Sequence, residues 1–138
     1  MNMLLKWEPG NPGARASTFH RSEPSRASRQ YIHPPVSGAY VFWVASDDTS
    51  ELRLSTDEDP AHARPIASSP QWTSPREYTK FPVQQSQPIE LKAGRRYYVE
   101  ALQKPGGGGD HLSVAWRLPN GTEEKPIPGS RLSPWVRK

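Results

Sequence analysis

Two adjacent carboxylates, Asp47 and Asp48, follow the aromatic, apolar run Gly38-Ala39-Tyr40-Val41-Phe42-Trp43-Val44-Ala45-Ser46. Like charges this close repel, so solvent, a hydrogen-bonding turn or a cation has to stabilise them. In a turn, Asp47 accepts hydrogen bonds from backbone N–H groups ahead of it while Asp48 sits in water. Spacing alone favours that plain reading. In a cation site, the pair supplies hard oxygen donors of the kind calcium gathers from carboxylates, carbonyls and water. Neighbouring side chains of an extended chain point apart, so sharing one ion needs a sharp turn or a cis peptide between them.

A second loop, Lys104 to His111, offers matching chemistry. Gly106 to Gly109 present backbone carbonyls without side-chain obstruction, and Asp110 adds a third carboxylate. Gly108 and Gly109 are the carbonyl donors nearest Asp110. His111 stands beside this candidate site, with a strand-edge surface residue as its plain alternative. The other histidines, His20, His33 and His62, have no helix-face or zinc-finger spacing, and the chain has no cysteine, which argues against zinc. No serine lies in a Gly-x-Ser-x-Gly elbow. The glycine run lacks the lysine and following helix of a phosphate loop. Glu51, Glu77 and Glu100 have no spacing that recommends a glycosidase pair, and exposed charge on strands is the better account of them. Trp72 and Trp135 fall in loops, where an aromatic plane can stack on a sugar ring or pack across the edge of the core.

The elements that must position these residues read as strands. The run from Ala39 to Ser46 has Tyr40, Phe42 and Val44 on one face and Val41, Trp43 and Ala45 on the other. Both faces are apolar, which predicts a central strand covered on both sides. Ser50 to Ser55 alternates, with Leu52 and Leu54 inward and Arg53 outward, the pattern of a half-buried strand. Arg64 to Ala67 makes a short strand, and Pro88 to Leu91 another. Lys92-Ala93-Gly94-Arg95 predicts a tight hairpin turn into a long strand from Arg96 to Gln103. His111 to Leu118 alternates cleanly, with Leu112, Val114, Trp116 and Leu118 inward, and Pro119-Asn120-Gly121 turns the chain back. The Pro-rich stretch Gln71 to Pro82 holds Trp72, Tyr78 and Phe81 to cover a core edge. This gives roughly seven or eight strands without a substantial helix, an all-β antiparallel sandwich or barrel.

Composition agrees. With 138 residues the chain is one domain, and 33% hydrophobic content with 16 prolines disfavours a helical bundle. Residues 1–29 read as an irregular Pro- and Ser-rich segment carrying Arg15, Arg21, Arg26 and Arg29, and residues 30–138 as the folded domain. The net charge of +4 is a solvated basic surface rather than a specific nucleic-acid footprint. Met1 to Trp7 lacks the apolar core of a secretory leader, and no run reaches the length of a membrane helix.

From Ser37 to Trp135 these pieces, taken in order, resemble a known family. They are Ser37 to Asp48, Ser50 to Leu54, Gln85-Ser86 before Pro88 to Leu91, Ala93 to Glu100, the glycine loop with Asp110-His111-Leu112, Val114 to Trp116, and Pro126 to Gly129. The stretch is similar to the domain named after the fourteen-kilodalton fragment of anthrax toxin protective antigen. The resemblance implies a β-sandwich or barrel of the kind found in glycosidases, toxins, adhesins and yeast flocculins. In lectin-like members the Asp-Asp pair carries a cis peptide and binds calcium, and the ion coordinates sugar hydroxyls. Carried over, Asp47 and Asp48 are metal and sugar ligands, and residues 104–111 form the second loop. Lectin members often have an amide and bulky residues there; this chain has glycines and Asp110. The expectation is a non-catalytic, calcium-dependent carbohydrate-binding module, tethered within a longer secreted or cell-surface protein. His111 and Trp72 would contact the sugar. A structural or protein-interaction module with a purely structural cation is the rival reading, and polyanion binding by the basic N-terminal arm is a third.

Overall fold

Alternating strands separated by Gly and Pro turns fold into two stacked antiparallel sheets. The computed structural model of the chain describes residues 26–46, 49–70, 73, 77–103 and 112–135. Among these lie nine strands: β1 (Arg26–Ile32), β2 (Gly38–Ser46), β3 (Ser50–Leu54), β4 (Arg64–Ser69), β5 (Ile89–Leu91), β6 (Tyr97–Gln103), β7 (Leu112–Arg117), β8 (Glu123–Glu124) and β9 (Leu132–Pro134). One sheet has the order β4-β3-β6-β1-β9 and the other β5-β2-β7-β8. No helix among the described residues is long and apolar enough to cross a membrane.

The period-2 pattern decides which side chains fill the space between the sheets. Tyr40, Phe42 and Val44 of β2 meet Leu112, Val114 and Trp116 of β7, and face Leu52, Leu54, Val99 and Ala101 of the other sheet. The opposite side of β2 is also covered. Trp43 and Ala45 pack with Ala115 and Tyr78, so the central strand is enclosed on both faces as expected. Gly38, at φ 145°, lets β2 begin against Pro119; a Cβ there would lie 2.7 Å from the proline ring.

Three expectations are corrected. Strand β1 reaches back to Arg26, so the expected boundary between residues 29 and 30 falls inside a strand. Ala27 and Ser28 are buried there, and the β1 backbone pairs with β6 along its whole length. The turn at Lys92 to Arg95 does form, with Gly94 at φ 83° and Arg95 N–H donating to the Lys92 carbonyl. It joins no hairpin, however, because β5 pairs with β2 while β6 pairs with β1 and β3. The Pro119-Asn120-Gly121 turn is a true hairpin between β7 and β8.

The third correction concerns charge. Arg53 does not point into water, and Glu51 and Glu100 are not exposed strand charges; their exposures are 2%, 2% and 3%. They lie on the outer face of the five-stranded sheet, where Arg53 stands opposite Glu100 in register. Arg53 Nε donates to Glu51 Oε2 at 2.7 Å, and the Tyr98 hydroxyl donates to Glu100 Oε1 at 3.0 Å. A charge this deep survives only when paired. Water and sugar do not reach these carboxylates, so they cannot serve as glycosidase acids. Arg53→Ala would strand buried carboxylate charge and should lower stability by about 3–5 kcal/mol, read by chemical denaturation. Replacing Arg53, Glu51 and Glu100 together by Met, Leu and Gln should cost much less, because no buried charge is left alone.

Candidate functional site

The candidate residues Asp47, Asp48, Trp72, Gly108, Gly109, Asp110 and His111 all lie outside the described residues. The described structure fixes the points from which their segments depart. Strand β2 ends at Ser46, whose register partner is Leu112, the first residue of β7. Strand β3 starts at Ser50, whose register partner is Gln103, the last residue of β6. Connections 47–49 and 104–111 both cross from one sheet to the other. Each begins beside a residue where the other ends, so the two crossings are anchored at one end of the sandwich.

Thr73 adds a third anchor at the same point. Its N–H donates to the Ser46 carbonyl at 2.8 Å. Its Oγ1 accepts from Ser46 N–H and donates to Ser46 O, both at 2.9 Å. The neighbour of Trp72 is thereby bound to the residue that precedes Asp47. Ser46 Oγ donates to Ser50 Oγ at 2.7 Å, bridging the two sheets across the three residues between them. Thr49 Oγ1 donates to the Pro70 carbonyl.

Beneath these anchors lies a group of polar side chains, Ser46, Ser50, Ser69, Thr73 and Gln103, all buried, while Ser113 is buried on the outer side of β7 under Tyr78. Leucine or valine would fill the same positions in a core whose only task was to exclude water. Within the group Thr73 supplies hydrogen bonds to the Ser46 backbone where the chain is about to leave the sheet, and Ser46 and Ser50 bond each other. Sequence reading missed this group, although serine recurs at strand ends at positions 46, 50 and 69. Thr73→Val should cost about 1–3 kcal/mol in urea denaturation, because the buried Ser46 N–H loses its acceptor.

The irregular segment ahead of β5 seals the free edge of β2. Ser86 N–H donates to Phe42 O at 2.8 Å, and Phe42 N–H donates back to Ser86 Oγ at 2.9 Å. Gln84, fully buried, donates from Nε2 to the carbonyls of Val44 and Glu77 and accepts from Phe81 N–H. Prolines prevent a regular ladder here, so side chains satisfy the backbone in its place. Tyr78 reaches Ser113 on the far side of β2 and covers Trp43, as expected for an aromatic guarding a core edge.

The remaining sequence candidates are accounted for structurally. His33 Nε2 bonds Ser133 Oγ at 2.7 Å. His62, on the surface, pairs with Asp57 at 2.8 Å. The Asp59 N–H holds the Asp57 carboxyl below the usual range, with His62 and Ser55 adding to the shift. Trp135 packs edge-on to Tyr98, with Arg29 over its ring, on the outer face of the five-stranded sheet. Among the described residues no three His, Cys, Asp or Glu side chains are grouped to hold a metal.

A profile of the PA14 domain family matches residues 27–130. The chain belongs to the PA14 domain family. Mouse N-acetyl-beta-glucosaminyl-glycoprotein 4-beta-N-acetylgalactosaminyltransferase 1 is 49% identical over 92 residues, a match covering 63% of this chain and 9% of that protein. This PA14 domain thus spans about a tenth of its curated relative. The epithelial adhesin 9 A domain of Candida glabrata, solved with Galb1-3GlcNAc, superposes with a TM-score of 0.58 at 13% identity, over 82% of this chain and 53% of that one. The PA14 sugar-binding domain of an RTX adhesin superposes with a TM-score of 0.54 at 15% identity, over 98% and 76%. At such identities the likenesses establish the fold, the antiparallel sandwich expected from the strand pattern.

Proposed function

We propose that this PA14 domain is a non-catalytic, calcium-dependent carbohydrate-binding module of a larger secreted or cell-surface protein. The observation that carries the reading is the pairing of anchors, Ser46 with Leu112 and Ser50 with Gln103. It supports a common site for the Asp47-Asp48 connection and the loop bearing Asp110. The donor chemistry fits a hard cation: carboxylates at 47, 48 and 110, carbonyls of Gly108 and Gly109, and no thiolate anywhere in the chain. Calcium, when bound, offers coordination positions that vicinal sugar hydroxyls can complete. His111 and Trp72 then meet the ring.

Two comparisons support a glycan partner. Solved relatives are described as a sugar-binding domain and as an adhesin domain holding Galb1-3GlcNAc. The mouse relative is named as a transferase acting on an N-acetyl-β-glucosaminyl glycoprotein. Glycans ending in N-acetylglucosamine or N-acetylgalactosamine are therefore the first ligands to try. In a transferase of that kind, a tethered glycan-binding module raises the local concentration of glycoprotein near the catalytic domain.

The test is calorimetric titration with calcium, followed by a glycan array with and without chelator. The reading expects calcium binding and glycan signals that vanish on chelation. Calcium binding without any glycan signal would favour the rival, a structural or protein-interaction module with a sealed ion. Chelator-resistant glycan binding would reject the metal-bridged mechanism.

A further inference from the structure

We propose that the mouth of the sandwich between β4 and β5 binds an extended acidic segment of a partner protein. β4 and β5 are the outermost strands of their sheets. Between them opens a cleft of about 420 Å3, within the usual range for ligand sites. Its floor is apolar and mainly aliphatic, formed by Leu54 and Leu91 with the half-buried Ile66 and Ile89, beside the buried Tyr97. Its rim carries three exposed cations, Arg64, Lys92 and Arg95, against one carboxylate, Glu90.

The state of those cations distinguishes the cleft. Elsewhere among the described residues Arg53, Arg96, Arg117, Lys125 and Arg131 each face a carboxylate, while Arg29 and Lys80 sit over rings. Among the same residues no ion pair or ring contact engages Arg64, Lys92 or Arg95. A second, larger cleft shares Arg95 but contrasts with this one. Two of its three acids are already answered, Asp57 by His62 and Glu58 by Arg96, while Asp59 caps the backbone of Ala61. The β4–β5 mouth combines an unfilled apolar floor with uncompensated positive charge.

An extended peptide fits both features. Its side chains alternate, so apolar residues can enter the floor while acidic ones meet the rim. Tyr97, the one aromatic ring in the lining, is only 5% exposed and offers no open plane to a sugar face, so the floor suits a valine or leucine better. Opposed charge across the rim would speed association and set specificity.

The probe is a fluorescent eight-residue peptide of alternating Asp and Val, titrated onto the full chain by anisotropy. Ser-Val and Lys-Val peptides and a heparin octasaccharide serve as comparators. Binding of the Asp-Val peptide should weaken at least about tenfold with Arg64→Glu plus Arg95→Glu, and again on raising the salt. Arg64→Lys plus Arg95→Lys should retain it, and chelator should not matter, which separates this site from the glycan reading. Indifference to charge reversal would overturn the proposal, since attraction would then come from the basic N-terminal segment. Equal binding of the Ser-Val peptide, or preferential capture of the heparin octasaccharide by the same arginines, would overturn it too.

Discussion

Trp116→Ala should lower the stability of the domain by about 3–5 kcal/mol, a large part of the roughly 5–15 kcal/mol that holds a typical domain folded. Trp116 is fully buried near the end of β7. Its ring lies 4.7 Å from that of Tyr40 and 5.8 Å from that of Phe42, both on the neighbouring strand β2. Its Nε1 donates to Glu124 Oε1 at 2.6 Å, and Arg131 clasps the same carboxylate. Truncation therefore removes ring contacts, opens a cavity between close-packed sheets and takes a donor from Glu124. Trp116→Phe should cost less, because it keeps much of the apolar contact and loses the hydrogen bond, and Glu124 retains Arg131. Guanidinium denaturation of the two variants separates the cavity from the hydrogen bond. A loss below about 1 kcal/mol for the alanine variant would show that the core relaxes around the gap.

Much of this core was legible because β2 and β7 alternate apolar side chains at period two and end in strong turn residues. The sequence of β2 even predicted its double coverage, since both of its faces are apolar. Arg53, Glu51 and Glu100 were misread for a definite reason. Alternation distinguishes polar from apolar, and on an outer sheet face it does not distinguish a solvated charge from one that is buried and paired. The turn at Gly94 was misassigned for a similar reason. Local turn chemistry fixes a reversal of the chain, and only the sheet order decides whether the flanking strands pair. Segment 73–86 was opaque because its work is done by Thr73, Gln84 and Ser86 bonding the backbone of β2, a role without periodicity. The Asp-Asp pair and the glycine loop were both conspicuous in the sequence, but the anchoring of their two connections at one end of the sandwich emerges only from the partners of Ser46 and Ser50.

Asp47→Asn together with Asp48→Asn should abolish calcium-dependent glycan binding while leaving the calcium-free domain as stable as before, or slightly more so. In the ion-site reading the adjacent charges repel whenever calcium is absent, by about 1 kcal/mol at 4 Å in water, and the amides relieve this. Calcium bound to the native state alone raises stability by about 2.7 kcal/mol at a hundred times its dissociation constant. Melting curves of the parent protein should therefore rise with calcium and those of the double variant should not. The turn reading makes a different prediction. Asn supports an Asx turn nearly as well as Asp, so the double variant would change little under any condition, whereas Asp47→Ala would lose the cap and cost about 1 kcal/mol even in chelator. Measuring the Asn and Ala variants with and without calcium thus separates the two accounts. An Asn variant that keeps its calcium response would remove Asp47 and Asp48 from the site. An Ala variant that is destabilised only when calcium is present would tie the pair to the ion rather than to the turn.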